Sequence, residues 1–280
     1  MECGVLSNCL TFHSPHSAIH TPYTMLSAAT SQTMAIAALA AIGAGLVGWA
    51  VWAARQTQFT FGQLPLMALN AFYSRVMWRA TLRGAIELPP GQGGVIICNH
   101  RCPLDPAFVG LAVDHMVHWM VAKEYWANPV LRWFFHTCQC IPVGRGGVDT
   151  AATKIAIRYA TSGQLVGMFP EGRINETDQL LLAARPGFVW VALKTHVPVI
   201  PCYIEGAPYD GTVWGCLFMP AKVRLVIGKP IDLSPYYGRE REHEVLEMLT
   251  KRLLQEIATL AGDPEFEPRL AGRRWGNGGF

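Results

Sequence analysis

The sequence predicts an α/β protein: a largely parallel sheet flanked by helices and preceded by N-terminal membrane-associated helices. Three observations carry that reading. Short apolar runs alternate with helical stretches beyond Gly84, polar clusters stand at the ends of several runs, and an uncharged apolar stretch from Met34 to Ala54 precedes them all. Alternation of strand and helix is the pattern of a parallel sheet with helices on its faces. The composition agrees, with 51% hydrophobic and only 15% charged residues, where soluble domains carry about 25% charged residues. That balance points to contact with lipid.

Residues 1–33 are rich in Ser, Thr and His and carry one formal charge, Glu2, so they are expected to have no fixed structure. Met25 and Met34 are alternative starts just ahead of the apolar run. The stretch from Met34 to Ala54 is long enough, as a helix, to cross a hydrocarbon core of about 30 Å. It contains Gly43-Ala-Gly45-Leu-Val-Gly48, a literal dinucleotide-binding glycine pattern, but no acidic residue follows before Glu87. A nucleotide fold needs one about 20 positions on, so that reading is rejected.

From Phe59 to Arg83 a second apolar segment opens with Pro65 in its first turn. Arg75, Arg79 and Arg83 fall on one face if the whole segment is helical, which predicts an interfacial helix with a basic stripe; residues 34–83 then form one membrane-associated unit. The arginines follow the apolar span, and the positive-inside rule places the rest of the chain on the cytoplasmic side of a membrane.

Residues 84–262 form the predicted α/β domain. Its strands are expected at Val95–Cys98, Met116–Ala122, Cys140–Val143, Leu165–Phe169, Val199–Ile204 and Val223–Ile227, with helices near 106–113, 128–137, 149–161, 186–196 and 239–261. Residues 263–280, rich in Gly, Pro and Arg, are expected to be loose. The net charge is +3 and no Lys/Arg cluster interleaves with aromatics, so no nucleic-acid partner is expected. The eight cysteines lack zinc-ligand spacing, so neither a structural metal nor a disulfide framework is expected.

In sheets of this kind ligands collect at the carboxyl ends of the strands. Asn99-His100-Arg101-Cys102-Pro103-Leu104-Asp105-Pro106 begins at such an end. A histidine can take a hydroxyl proton near neutral pH, and a carboxylate on its second nitrogen fixes the tautomer and stabilises the imidazolium. The plainer role for Asp105 is to cap a helix that starts at Pro106. Val143-Gly144-Arg145-Gly146-Gly147 and Phe169-Pro170-Glu171-Gly172-Arg173 follow two further strands. They offer flexible turns and guanidinium groups suited to phosphate.

Taken in order with Val197-Pro198-Val199-Ile200-Pro201, these clusters resemble the glycerolipid acyltransferases over about residues 84–232. The resemblance implies His100 as general base and Asp105 as its orienting partner. It places Asn99, Lys123, Arg145, Glu171, Gly172, Arg173 and Pro201 at the substrate site. It further implies acyl-CoA or acyl carrier protein as donor, a lysophospholipid as acceptor, the bilayer as partner and no bound cofactor. The third block reads Glu-Gly-Arg-Ile-Asn, where phosphatidic-acid-forming members usually have Glu-Gly-Thr-Arg-Ser, and so looks more like members that reacylate larger head groups. A serine hydrolase would need a Gly-x-Ser-x-Gly elbow, which the chain lacks. A noncatalytic membrane module would have no use for the His100, Asp105 and Glu171 set.

Overall fold

A computed structural model describes residues 22–144 and 149–271. The chain divides into two units, Met1–Val51 and Trp52–Phe280. Helix α1 (Pro22–Gln56) supplies the described part of the first. It begins ahead of the expected Met34, so residues 22–33 are helical rather than structureless; residues 1–21 lie outside the described residues. Its stretch Thr30–Gln56 is apolar and long enough to cross a membrane by length and composition.

In the second unit, α2 (Leu64–Val76) opens on Pro65, as expected of a residue with no N–H to lose in the first turn. The basic stripe does not form. The helix ends at Val76, Arg79 turns the chain at a positive φ of 40°, and Arg83 lies on a strand, β1 (Thr81–Arg83). The exposed face of α2 is instead apolar: Pro65, Leu69, Phe72 and Val76 recur at i, i+4, i+7 and i+11 and all face solvent.

The remaining elements follow the predicted alternation: β2 (Gly94–Cys98), α3 (Asp105–Val109), β3 (Val117–Ala122), α4 (Pro129–Thr137), β4 (Ile141–Val143), α5 (Thr150–Thr161), β5 (Leu165–Met168), α6 (Gly187–Thr195), β6 (Val199–Glu205), β7 (Arg224–Ile227) and α7 (His243–Ala261). One seven-stranded sheet runs in the order β1-β7-β6-β2-β5-β3-β4. Strands β6, β2, β5, β3 and β4 are mutually parallel, whereas β7 is antiparallel to β6 and carries β1 parallel to itself.

Every residue of β2 is buried, and the strand's twofold alternation divides its side chains between two cores. Val95 and Ile97 pack with α5, α6 and α7, while Ile96 and Cys98 pack with Trp78, Phe108 and Val109 on the other face. The six described cysteines are free, and all but Cys140 are buried. The expected loose tail is tied down through Ala271: Ala184 N–H donates to the Arg269 carbonyl, and Ala271 N–H donates to the Ala184 carbonyl. Residues 272–280 lie outside the described residues.

Candidate active site

The parallel strands end on one edge in the order β2, β5, β3, β4. That edge collects His100, the Pro170-Glu171-Gly172-Arg173 turn, Lys123 and Gly144, one after each strand. The His100 Nδ1 lies 2.9 Å from Asp105 Oδ2. A carboxylate can only accept, so Nδ1 carries the proton and Nε2 keeps its lone pair for a substrate hydroxyl. The His100 side chain is 16% exposed and that of Asp105 is fully buried, so the ring is reachable while its partner is not.

Asp105 is not the helix cap that its place before Pro106 suggested. Its Oδ2 accepts from Arg101 N–H at 2.6 Å and Cys102 N–H at 2.9 Å as well as from the imidazole. The carboxylate thus folds back over the turn that precedes α3, and one oxygen shapes that turn and holds the ring.

Two residues expected at the substrate turn out to build the backbone around His100. Asn99 is 1% exposed. Its side-chain amide donates to the Ile204 carbonyl at 2.8 Å and accepts from Ile204 N–H at 2.7 Å, which continues the β2–β6 pairing by one side chain. Glu171 is 2% exposed. Its oxygens accept from the backbone N–H of His100 at 2.9 Å and of Leu182 at 2.8 Å. Burial pushes its carboxyl up to about 6, against the lowering pull of those two N–H groups. Both residues therefore fix where His100 sits, and neither directs its polar atoms outward to an acceptor.

The other expected residues are placed as follows. The glycine at 172 has a φ of +66° and its N–H closes the turn onto the Phe169 carbonyl, a backbone conformation that suits glycine. Arg173 stands exposed on that turn. Lys123 pairs with Asp149 Oδ2 at 2.8 Å. The same oxygen accepts from Gly144 N–H at 2.9 Å, and Asp149 caps α5. These bonds hold the Asp149 carboxyl well below the usual range, with the Lys123 ammonium the largest cause. Arg145 lies outside the described residues. Pro201 is buried within β6 opposite Ile97, a structural position. Among the described residues no group of three or more His, Cys, Asp or Glu side chains could hold a metal ion.

Comparison with known proteins bears on this arrangement directly. The family described as Acyltransferase matches residues 79–205, which contain every site residue described above. A 1-acyl-sn-glycerol-3-phosphate acyltransferase of Bacillus subtilis is 28% identical over 183 residues, covering 62% of this chain and 88% of that protein. Tafazzin of Drosophila melanogaster is 28% identical over 70% of this chain and 55% of its own length. The crystal structure of the acyltransferase PlsC from Thermotoga maritima aligns over 70% of this chain and 80% of that one, with a TM-score of 0.55 at 21% identity, and so shares the fold. Residues 79–205 are an acyltransferase domain.

The acyltransferase holds its histidine in two further ways that sequence reasoning missed. The His100 imidazole stacks on Phe169 at 3.8 Å between centroids and 7° between planes, and Phe169 stacks in turn on Trp119 at 4.6 Å. Gly167 makes room for this column, because a Cβ there would be driven into the Trp119 indole. A glycine inside a buried strand was the available signal of such close approach. The second device is Arg101, whose guanidinium donates to the carbonyls of Asn175, Thr177 and Gln179, while Asn175 N–H donates to the His100 carbonyl at 2.7 Å. The loop after Glu171 is thereby strapped to the histidine turn.

Proposed function

We propose that this acyltransferase moves a fatty acyl group from a thioester, carried by CoA or acyl carrier protein, to the free hydroxyl of 1-acylglycerol-3-phosphate, giving phosphatidic acid. The observation that carries the reading is the His100–Asp105 pair, with Nδ1 committed to the carboxylate and a partly exposed ring at the carboxyl edge of the sheet. His100 Nε2 takes the hydroxyl proton as the oxygen attacks the thioester carbonyl. The tetrahedral intermediate then collapses, the carbon–sulfur bond breaks, and the imidazolium returns its proton to the leaving thiolate. Asp105 stabilises the transient imidazolium, and no bound cofactor takes part. Arg145 and Arg173 are assigned to the acceptor's phosphate, since a guanidinium fork suits phosphate oxygens.

The protein acts at a membrane. The apolar α1 stretch and the exposed apolar stripe of α2 support this, and the arginines at 55, 75, 79 and 83 favour a catalytic unit on the cytoplasmic side. A second acceptor reading, a lysophospholipid with a larger head group, rests on the Glu-Gly-Arg-Ile-Asn sequence at 171–175 and on the similarity to tafazzin. Thiol release from acyl-CoA by the purified full chain, measured across a panel of lysophospholipids, tests both. Release should require an acceptor and be fastest with 1-acylglycerol-3-phosphate. Fastest release with lysophosphatidylcholine would favour the second reading, and equal release without acceptor would defeat both.

A further inference from the structure

The second unit exposes apolar side chains on three elements that hydrogen bonds join, besides Trp52, Phe61, Leu82 and Met248 elsewhere. The first is the stripe on α2 that includes Leu69 at 60% and Phe72 at 64% exposure. Next comes α4, where Val130 at 63% and Trp133 at 60% face solvent one helical turn apart. The third is the 3₁₀ turn Gly215–Phe218, with Phe218 at 75% and the preceding Trp214 at 48%. At the start of α2, the buried Gln63 donates from its amide to the Thr137 carbonyl at the end of α4, at 2.9 Å. Toward the end of α2, the Tyr73 hydroxyl donates to the Leu217 carbonyl at 2.6 Å. Helix α2 is therefore joined at its start to α4 and toward its end to the 214–218 turn.

From this arrangement we infer that α4 and the 214–218 turn are themselves membrane-contacting elements, forming with α2 one surface that docks the catalytic unit on a bilayer carrying anionic lipid. The inference rests on the reading of α2 as interfacial and goes beyond it. Exposed apolar side chains clustered on joined elements mark interaction or membrane surfaces. The chemistry fits lipid: tryptophan prefers the membrane–water boundary, where its ring is apolar and its N–H stays wet. The charges fit as well, because α2, α4 and residues 214–218 carry Arg75, Arg132 and His136 and not one carboxylate. A water-soluble protein partner would require no such one-sided set.

The full chain in vesicles of phosphatidylcholine and phosphatidylglycerol with brominated acyl chains tests the inference by tryptophan quenching. Trp133→Phe and Trp214→Phe each define, by difference from the parent, the emission of one site, and Phe72→Trp adds a reporter on α2. The emission assigned to Trp133 and to Trp214 should be quenched by more than half, and the added α2 emission likewise. If the α2 reporter is quenched while Trp133 and Trp214 are not, α4 and the turn lie off the membrane and the inference fails alone. If all three are unquenched, the interfacial reading of α2 fails with it. Unquenched Trp133 together with a dimer that Trp133→Ser dissociates would show that a second copy covers the surface, which also overturns the proposal.

Discussion

Replacing Asp105 by asparagine isolates what the carboxylate's charge contributes, because the two oxygens have such different surroundings. Oδ2 accepts three hydrogen bonds, from His100 Nδ1, Arg101 N–H and Cys102 N–H. Oδ1 is buried and meets no hydrogen-bonding partner among the described residues. Asparagine can therefore put its carbonyl oxygen in the place of Oδ2 and its NH₂ in the place of Oδ1, with no donor set against a donor. Each retained bond loses charge assistance, a change of about 1 kcal/mol per bond when charged and neutral hydrogen bonds are compared. Relief of a buried carboxylate's desolvation offsets part of that, so the fold survives. Catalysis has no such offset. The imidazolium formed during proton transfer would face a neutral amide, and we expect kcat to fall by about 10²- to 10⁴-fold, equivalent to roughly 3 to 5 kcal/mol of lost transition-state stabilisation. Steady-state thiol release with donor and acceptor varied separately, alongside a thermal melt, measures this. A folded Asp105→Asn protein that keeps more than a tenth of parental kcat would refute the electrostatic role of Asp105.

Gly167→Ala should drive a methyl group into the Trp119 indole. A misfit of that kind costs about 1 to 3 kcal/mol in a packed core, and by disturbing the column under His100 it should lower kcat more than it changes the acceptor KM; unchanged melting and kcat would show the column to be incidental. Glu171 predicts a pH dependence of stability. Burial raises its folded value to about 6 from an ordinary 4.5, so its ionisation is harder in the folded state. Its contribution is therefore greatest below pH 4.5 and declines by roughly 2 kcal/mol as pH rises to about 6. Glu171→Gln should remove that decline from urea-unfolding free energies measured across the window, and an unaltered pH profile would contradict the assignment.

Much of the fold was legible because strands buried on both faces read as unbroken apolar runs, as in Val95-Ile96-Ile97-Cys98 and Val199-Ile200. The three-residue edge strand β1 was not, since spacing alone let Arg75, Arg79 and Arg83 continue a helix, and the left-handed turn at Arg79 leaves no local mark. The direction of β7 was equally hidden, because pairing sense is set by tertiary contacts. At the site, the pairing of His100 with Asp105 could be read, but not the backbone contacts of Asn99 and Glu171. A polar side chain in a motif looks the same whether it meets a ligand or a backbone N–H 71 residues away, as Glu171 meets His100. The exposure of the apolar stripe on α2 was also invisible, because periodicity identifies such a stripe without saying whether protein covers it.

In the proposed reaction His100 deprotonates a lipid hydroxyl so that it can accept an acyl group from a thioester. The most direct test compares wild type with His100→Ala in a purified full-length assay that follows both thiol release and the acylated lipid product, with 1-acylglycerol-3-phosphate present or withheld. Wild type should release thiol and form phosphatidic acid in equal amounts only with acceptor, and folded His100→Ala should be slower by about 10²- to 10⁴-fold in both. Thiol release that ignores the acceptor, or a folded His100→Ala protein with more than a tenth of wild-type turnover, would contradict the proposed reaction.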